Sequence, residues 1–179
     1  IDLSGHSGGN RLPLLARKPA PIQASWIGYA GTTGLQAMDY YISDGFHLPE
    51  GRYDDQFTEK IVRLPLSAPF MPEPTAPPVP PLPALTNGYL TFGTFNRANK
   101  LSRDVIAQWA LLLRAIPDAR LMVGGLRKGA DAAVLAWFDD EGIARDRLLL
   151  QPRGTVSEYL ALHDQIDICL SPFPYTGAT

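Results

Sequence analysis

The chain has 179 residues, of which 45% are hydrophobic and 19% charged, a balance that favours a folded globular protein over a disordered one. Its net charge of −2 gives no electrostatic reason to expect binding to nucleic acid or to a membrane, and no apolar run reaches the ~20 residues that a membrane-spanning helix needs. The single cysteine, Cys169, excludes an internal disulfide and fits a reducing, cytoplasmic setting, and no Cys/His spacing predicts a zinc site.

The first 64 residues predict a small and irregular α/β unit. Buried strands are expected at 22–28 and 38–44, and helices at 9–17 and 54–60. A unit of about 64 residues rarely buries a sufficient core alone. We therefore expect these residues to complete a sheet whose other strands lie elsewhere in a longer protein.

Residues 65–85 form a proline-rich segment between the two halves of the chain. Nine of the 17 prolines lie between Pro65 and Pro83. Because proline fixes φ and lacks a backbone N–H, an interior helix or strand is not expected here. The composition predicts a stiff, polyproline-like connector, and recognition of the segment by a proline-binding module is the alternative.

Residues 86–179 predict strands and helices in strict alternation. The strands are expected at 89–95, 120–125, 147–152 and 166–172, and the helices at 102–116, 128–142 and 155–165. In the first of these helices the apolar residues recur at three- and four-residue steps, Ser102 is a favourable N-cap, and Pro117 ends the helix. This order predicts a parallel sheet with helices packed on it.

Two loops of this second unit form a candidate anion site. One follows the first strand and carries Lys100, and the other contains the small residues Gly177, Ala178 and Thr179. Ligands of parallel α/β sheets bind beyond the carboxyl ends of the strands, so both loops are expected at one edge. Backbone N–H groups at a helix start bind phosphate, and a lysine neutralises a diphosphate. A solvated surface lysine and a plain turn are the alternatives, and Arg97 has the same ambiguity.

The first unit has two glycine-rich loops, one after the strand expected at 22–28 and one in "IDLSGHSGGN", where the start of the chain is typical of a strand-to-loop transition. "GYAGTTG" contains Gly28, Gly31 and Thr32, and its glycines permit either close approach to a ligand or a structural turn. "SGHSGGN" contains His6, which is suited to act as a general base or as a partner of a sugar hydroxyl. A loop histidine without a functional role is the alternative for His6.

Three stretches of the sequence contain motifs that, as a set, are specific to one enzyme family. They are, in chain order, "DLSGHSGGNRLPLLARKPAPIQASWIGYAGTTGLQAMDYYISD", "FGTFNRANKLSRDVIAQWALLLRAIPDARLMV" and "DICLSPFPYTGAT". Together they resemble the catalytic region of O-linked N-acetylglucosamine transferases, bacterial relatives included. The resemblance implies a GT-B type α/β fold, with two Rossmann-like lobes whose parallel sheets are flanked by helices. Residues 1–64 would end the N-terminal catalytic lobe, 65–85 would connect, and 86–179 would begin the UDP-binding lobe, so both lobes would be incomplete in this chain.

The resemblance also implies roles for residues of the second unit. In the family, the lysine of an F-N-x-x-x-K loop binds the diphosphate, which implies this role for Lys100 and places Asn96 and Arg97 beside the nucleotide. The loop from Gly177 to Thr179 would hold the phosphates from a helix N-terminus.

In the first unit, the resemblance implies that Gly28, Gly31 and Thr32 face the donor sugar and the acceptor. His6 is one candidate for the catalytic base. Histidine or aspartate residues before Ile1 and a phosphate oxygen of the donor are equally open alternatives.

The implied reaction is inverting transfer of N-acetylglucosamine from UDP-N-acetylglucosamine to Ser and Thr hydroxyls of proteins, with no cofactor and no required metal. The implied partners are the UDP-sugar donor and acceptor proteins, with no nucleic acid or membrane, and tetratricopeptide repeats are expected upstream in a cytoplasmic protein. The chain alone is expected to be inactive. A related transferase of other sugar or acceptor specificity, and a non-catalytic scaffold that binds nucleotide or peptide, are the alternatives.

Four positions depart from the family pattern. Ala30 replaces a common proline, and Ala178 stands where some relatives have a histidine that contacts the nucleotide. Val156 and Tyr159 stand where some relatives carry a lysine and a histidine at the uridine. These departures leave the residues of the uridine pocket unassigned.

Overall fold

A computed structural model describes residues 1–68, 73–74, 76–127 and 129–177 of the chain. The chain divides into two compact units, Ile1–Met71 and Pro72–Thr179. The assignment of these units to two catalytic lobes, and of residues 65–85 to a connector, stays a prediction.

The first unit is built on a parallel sheet of three strands in the order β1-β2-β3. Its elements are α1 (Leu12–Leu15), β1 (Ala24–Trp26), β2 (Tyr40–Asp44), a 3-10 turn (Asp54–Gln56) and β3 (Lys60–Leu64). Asp2 forms an isolated parallel bridge with Ser25, so the start of the chain runs alongside β1.

Two predicted helices of this unit are corrected by the structure. The helix expected at 54–60 is wrong, because only a 3-10 turn forms at its start and Lys60 already begins β3. The chain leaves the turn at Phe57, whose ring lies 4.9 Å from that of Tyr41 on β2. The helix expected at 9–17 is reduced to α1, Leu12–Leu15, which has Pro13 in its first turn and Ala16 as its C-cap. Two residues later, Lys18 has a φ of 53°, which is incompatible with a continuing helix.

The first unit buries more polar than apolar side chains. Its described buried apolar residues are Leu12, Met38 and Tyr41, whereas its buried polar residues are Asp2, Gln23, Ser25, Thr33, Ser43, Asp44, Glu59 and Ser67. Buried polar groups require hydrogen-bond partners, so the loops of this unit are held by specific hydrogen bonds rather than by a large apolar core.

The second unit contains a parallel sheet of four strands in the order β6-β5-β4-β7. Its elements are α2 (Ala84–Asn87), β4 (Thr91–Thr94), a 3-10 turn (Ala98–Lys100), α3 (Arg103–Ala115), β5 (Arg120–Leu126), α4 (Ala130–Asp140), a 3-10 turn (Arg145–Arg147), β6 (Leu148–Pro152), α5 (Val156–His163) and β7 (Ile168–Cys169). The predicted alternation of strands and helices is confirmed.

Helix α3 shows how the sequence determines the core of this unit. The side chain of Ser102 accepts a hydrogen bond from the Val105 N–H at the start of the helix. The apolar residues that recur at helical spacing, among them Ile106 and Trp109, are buried against the sheet. At the end of α3, the Arg147 guanidinium donates to three backbone carbonyl oxygens, those of Leu113, Ile116 and Ala119. These bonds connect the end of the helix to the turn that precedes β6.

The order of the strands decides which loops meet. β4 lies between β5 and β7, so the loops that leave the carboxyl ends of these three strands are neighbours. Across the described part of the chain, no helix is long and apolar enough to span a membrane.

Candidate functional site

Lys100 contacts the loop that follows β7. It ends the short turn after β4, and its Nζ donates to the carbonyl oxygen of Thr176 at 2.7 Å. The same Nζ lies 5.0 Å from the ring centre of Tyr175. The structure thus brings together the two loops that the sequence placed at one sheet edge.

Asn96 and Gly177 lie in contact at the same place. A Cβ atom at Gly177 would lie 2.9 Å from Oδ1 of Asn96, so the glycine lets the two loops approach closely. The Gly177 N–H donates to the hydroxyl of Ser171 at 3.3 Å. Ala178 and Thr179, the other predicted residues of this loop, lie outside the described residues.

The ammonium group of Lys100 has no acidic partner in the described ranges. No carboxylate oxygen of a described residue lies within 4.0 Å of it, and its neighbours are a carbonyl oxygen and an aromatic ring. A half-buried cation with only neutral partners attracts an anion. This electrostatic situation suits the binding of a phosphate group.

A groove of about 840 Å³ opens beside these loops. It runs along the carboxyl ends of β4, β5 and β6 and is lined by Arg97, Arg127 and Arg153, which form no ion pair with another described residue. Arg97 was a candidate from its position in the sequence, whereas Arg127 and Arg153 were not predicted as site residues. Their only signal was position, since each follows a predicted strand.

One end of the groove is formed by the start of α5. The Thr155 hydroxyl accepts from the Glu158 N–H, and the Glu158 carboxylate accepts from the Thr155 N–H at 2.7 Å and from its hydroxyl at 2.8 Å. The bond from the Thr155 N–H holds the pKa of Glu158 below its usual value. Glu158, the acidic residue among the described residues that line the groove, is therefore engaged in capping α5. The three arginines dominate the charge of the groove.

Two aromatic side chains, Phe95 and Tyr159, line the groove, and His163 packs against both of them. The ring of Phe95 lies 5.6 Å from that of Tyr159 and 4.1 Å from that of His163. The backbone carbonyl of Tyr159 bonds to Nδ1 of His163 at 2.9 Å, and burial raises the pKa of the Tyr159 hydroxyl. Ring faces of this kind stack on planar ligands such as nucleobases.

In the first unit, two predicted loops pack backbone against backbone. A Cβ atom at Gly28 would lie 2.1 Å from the carbonyl oxygen of Leu3, and one at Gly5 would lie 2.5 Å from Cβ of Tyr29. Gly31 lies beside the Tyr29 ring, where a Cβ atom would approach Cε1 to 3.3 Å. These glycines therefore have a structural reason for their identity, independent of any ligand.

His6 and Thr32 are also brought together in this unit. Nε2 of His6 lies 3.2 Å from the carbonyl oxygen of Thr32. The Thr32 hydroxyl donates to Glu59 and accepts from the N–H groups of Gly34 and Thr58, so its hydrogen-bonding capacity is used internally.

The described residues provide no cluster of metal ligands. In the described ranges, no group of three or more His, Cys, Asp or Glu side chains is arranged to hold a metal ion. The expectation that no metal is required stays a prediction.

Comparisons with known proteins identify relatives over the whole chain. The family model described as glycosyl transferase family 41 matches residues 1–71. Proteins named probable UDP-N-acetylglucosamine–peptide N-acetylglucosaminyltransferase SPINDLY, from Petunia hybrida and Arabidopsis thaliana, are 39% and 38% identical over 100% of this chain and 20% of their own length. The Arabidopsis thaliana protein SEC, named for the same activity, is 25% identical over 95% of this chain and 18% of its own. The chain spans about a fifth of the length of these curated relatives.

A solved structure is similar to nearly the whole chain. The O-GlcNAc transferase of Thermobaculum terrenum, in a mutant form, matches with a TM-score of 0.87 and 35% identity, over 99% of this chain and 34% of that one. The likeness confirms the predicted GT-B type α/β fold with parallel sheets flanked by helices.

Proposed function

We propose that this chain belongs to glycosyl transferase family 41 and that its protein is an inverting glycosyltransferase, a proposal supported by the match of residues 1–71 and by the similarity of relatives along the whole chain. It transfers N-acetylglucosamine from UDP-N-acetylglucosamine to Ser and Thr hydroxyls of proteins. The activity in the names of the relatives supports this proposal. Since the chain spans only about a fifth of their length, it holds part of the catalytic region.

The observation that supports the proposal most strongly is the environment of Lys100. Its ammonium group contacts the carbonyl oxygen of Thr176 and the ring of Tyr175, beside a groove lined by arginines. A nucleoside diphosphate matches this arrangement, with its phosphates at Lys100 and its base in the groove. The Phe95 and Tyr159 rings supply a surface on which a base stacks.

The proposed reaction is a single displacement. The acceptor hydroxyl oxygen bonds to the anomeric carbon while the bond from that carbon to the β-phosphate oxygen breaks. UDP leaves with the bonding electron pair, and the hydroxyl proton passes to a base. Lys100 stabilises the negative charge that grows on the leaving diphosphate, so the reaction requires no metal for this task.

The base that takes the proton of the acceptor hydroxyl has several candidates. His6 is one candidate, and a donor phosphate oxygen or a residue before Ile1 are the alternatives. We further propose that the protein is cytoplasmic and carries tetratricopeptide repeats upstream of this chain, which bring acceptor proteins to the site.

A second candidate, a related transferase that uses another nucleotide sugar, is favoured by the groove. Val156 and Tyr159 line it at the positions where some relatives carry a lysine and a histidine. An apolar and an aromatic side chain recognise a base by stacking and shape rather than by charge. A non-catalytic scaffold, the third reading, has the same groove but no transfer activity.

The proposal is tested with the full-length protein and radiolabelled UDP-N-acetylglucosamine. We expect label in Ser and Thr residues of acceptor proteins, undiminished by EDTA, and inverted configuration at the anomeric carbon of the product. A panel of nucleotide sugars that vary the base and the sugar separates the second candidate, since it would label acceptors from another donor. UDP binding without transfer from any donor supports the scaffold.

A further inference from the structure

Glu59 is a buried carboxylate that no step of the proposed reaction uses. It lies immediately before β3 and is 5% exposed. Its Oε2 accepts from the Thr32 hydroxyl at 2.6 Å, and its Oε1 accepts from the Thr33 N–H at 2.7 Å and from the Thr33 hydroxyl. The "GYAGTTG" loop leaves the carboxyl end of β1, and Glu59 fixes its middle near the amino end of β3.

The hydrogen bonds require an acceptor at both oxygens of this side chain. The Thr32 hydroxyl already accepts from the N–H groups of Gly34 at 3.0 Å and Thr58 at 3.3 Å, so both lone pairs are engaged. Its proton has two oxygens in reach, Oε2 of Glu59 at 2.6 Å and the Thr58 hydroxyl at 3.1 Å, and the nearer, charged carboxylate is the stronger acceptor. An amide N–H₂ in place of Oε2 would meet no free lone pair there. Burial alone would raise the pKa of Glu59, but the bonds from Thr32 and Thr33 outweigh burial and lower it.

The loop that Glu59 fixes also orients His6. A carbonyl oxygen only accepts hydrogen bonds, so the 3.2 Å contact between Thr32 O and Nε2 of His6 requires the proton on Nε2. In the neutral imidazole Nδ1 is then the nitrogen with the lone pair. The His6 ring also packs edge-on against Tyr29, with ring centres 5.3 Å apart.

We propose that Glu59 is a positioning residue of the transferase, which fixes the turn at residues 32–34 and, through the Thr32 carbonyl, holds the His6 imidazole with its Nδ1 lone pair free. The inference rests on the proposed function, because the predicted role of this loop is to face the donor sugar and the acceptor. Glu59 contacts neither substrate. It acts through Thr32, Thr33 and His6.

The first test measures the loop without any need for activity. In Glu59→Gln, amide hydrogen exchange of a peptide spanning residues 30–36 is expected to accelerate, because the N–H groups of Thr33 and Gly34 lose well-placed acceptors. The matched control is Asp44→Asn, which removes another buried carboxylate that accepts from backbone N–H groups and a hydroxyl, but from residues outside this loop. We expect the control to lose stability while residues 30–36 exchange as in the wild type.

The second test measures catalysis in the full-length protein, well below the unfolding temperature of each variant. We expect Glu59→Gln to lower kcat at least about tenfold, as a misplaced site does, while the Kd for UDP stays within about twofold. Asp44→Asn is expected to keep both values. If Glu59→Gln does not fold, Thr33→Val removes one hydroxyl donor to Glu59 and Thr33→Ser keeps it, so only the valine variant should show the two effects.

The outcomes separate the inference from the proposed function. Wild-type exchange and wild-type kcat in Glu59→Gln would overturn the inference, as would an equal loss of kcat in the control. Absence of transfer by the wild type from every donor would refute the proposed function instead, and faster exchange of residues 30–36 in Glu59→Gln would still support the positioning of the loop.

Discussion

Replacing Lys100 with methionine removes one charge and keeps most of the side-chain volume. The Nζ atom, which lies 5.0 Å from the centre of the Tyr175 ring and donates to the Thr176 carbonyl, is lost. Because that carbonyl belongs to an exposed loop, water replaces the donor and folding should be little affected. The variant therefore isolates the electrostatic role that we propose for the ammonium group.

The expected magnitude follows from the environment of this cation. A pair of unit charges about 4 Å apart interacts by about 4 kcal/mol at the effective dielectric constant of about 20 that applies near a protein surface. Loss of one preorganised donor to a developing negative charge costs about 10²- to 10³-fold in kcat. Since Lys100 is half-buried in the absence of a ligand, we expect about 10²-fold from Lys100→Met, with UDP binding weakened as well.

The assay is initial-rate transfer by the full-length protein, with UDP affinity measured separately by calorimetry. The control is Arg145→Met, which removes the same charge from the same unit but acts on a cation that is exposed and paired with Asp139. We expect the control to transfer at the wild-type rate. If Lys100→Met retains kcat/KM within threefold of the wild type, the anion site has been assigned to the wrong cation.

Three further predictions concern stability. Gly28→Ala should destabilise the protein by about 1–3 kcal/mol in urea unfolding, because the new Cβ would lie 2.1 Å from the Leu3 carbonyl oxygen. The control Gly8→Ala should be near neutral, because a Cβ atom there would meet no atom within 4 Å. Equal effects of the two substitutions would contradict the close packing at Gly28. Arg147→Met should cost about 1–3 kcal/mol by leaving buried carbonyls without a donor, and an unchanged unfolding midpoint would contradict this. A side-chain hydroxyl and backbone N–H groups lower the pKa of Asp44, so its contribution is present above the unfolded pKa of about 3.9 and is lost as pH falls further. The unfolding free energy of the wild type should therefore fall more steeply below about pH 5 than that of Asp44→Asn, and parallel curves would refute the assignment.

The second unit was predictable from sequence because each element follows one hydrophobic period. The helix predicted at 102–116 forms at Arg103–Ala115, and the strand predicted at 147–152 forms at Leu148–Pro152. The contact between Lys100 and the loop after β7 also followed from sequence, once both loops were expected at one edge. The order of the strands was not predictable, because periodicity says which faces are buried but not which strands pair.

Strand β3 was missed for a physical reason. It is the edge strand of its sheet, and none of its residues is fully buried. An edge strand lacks the continuous apolar run that is typical of interior parallel strands. The acidic pair Asp54–Asp55 before it is typical of the first turn of a helix, and the structure forms only a 3-10 turn there. Local preference for a helix start was therefore overridden by pairing with β2.

The threonines of "GYAGTTG" show where sequence alone misleads about chemistry. The resemblance to the transferase family implies that Thr32 faces the donor sugar and the acceptor. In the structure the hydroxyls of Thr32 and Thr33 donate to Glu59, 26 or more residues away in the sequence. A hydroxyl whose proton and both lone pairs are engaged has nothing left to offer a ligand. Any role of Thr32 in donor binding therefore falls to its main chain, whose carbonyl oxygen lies 3.2 Å from Nε2 of His6, one of the proposed candidates for the base.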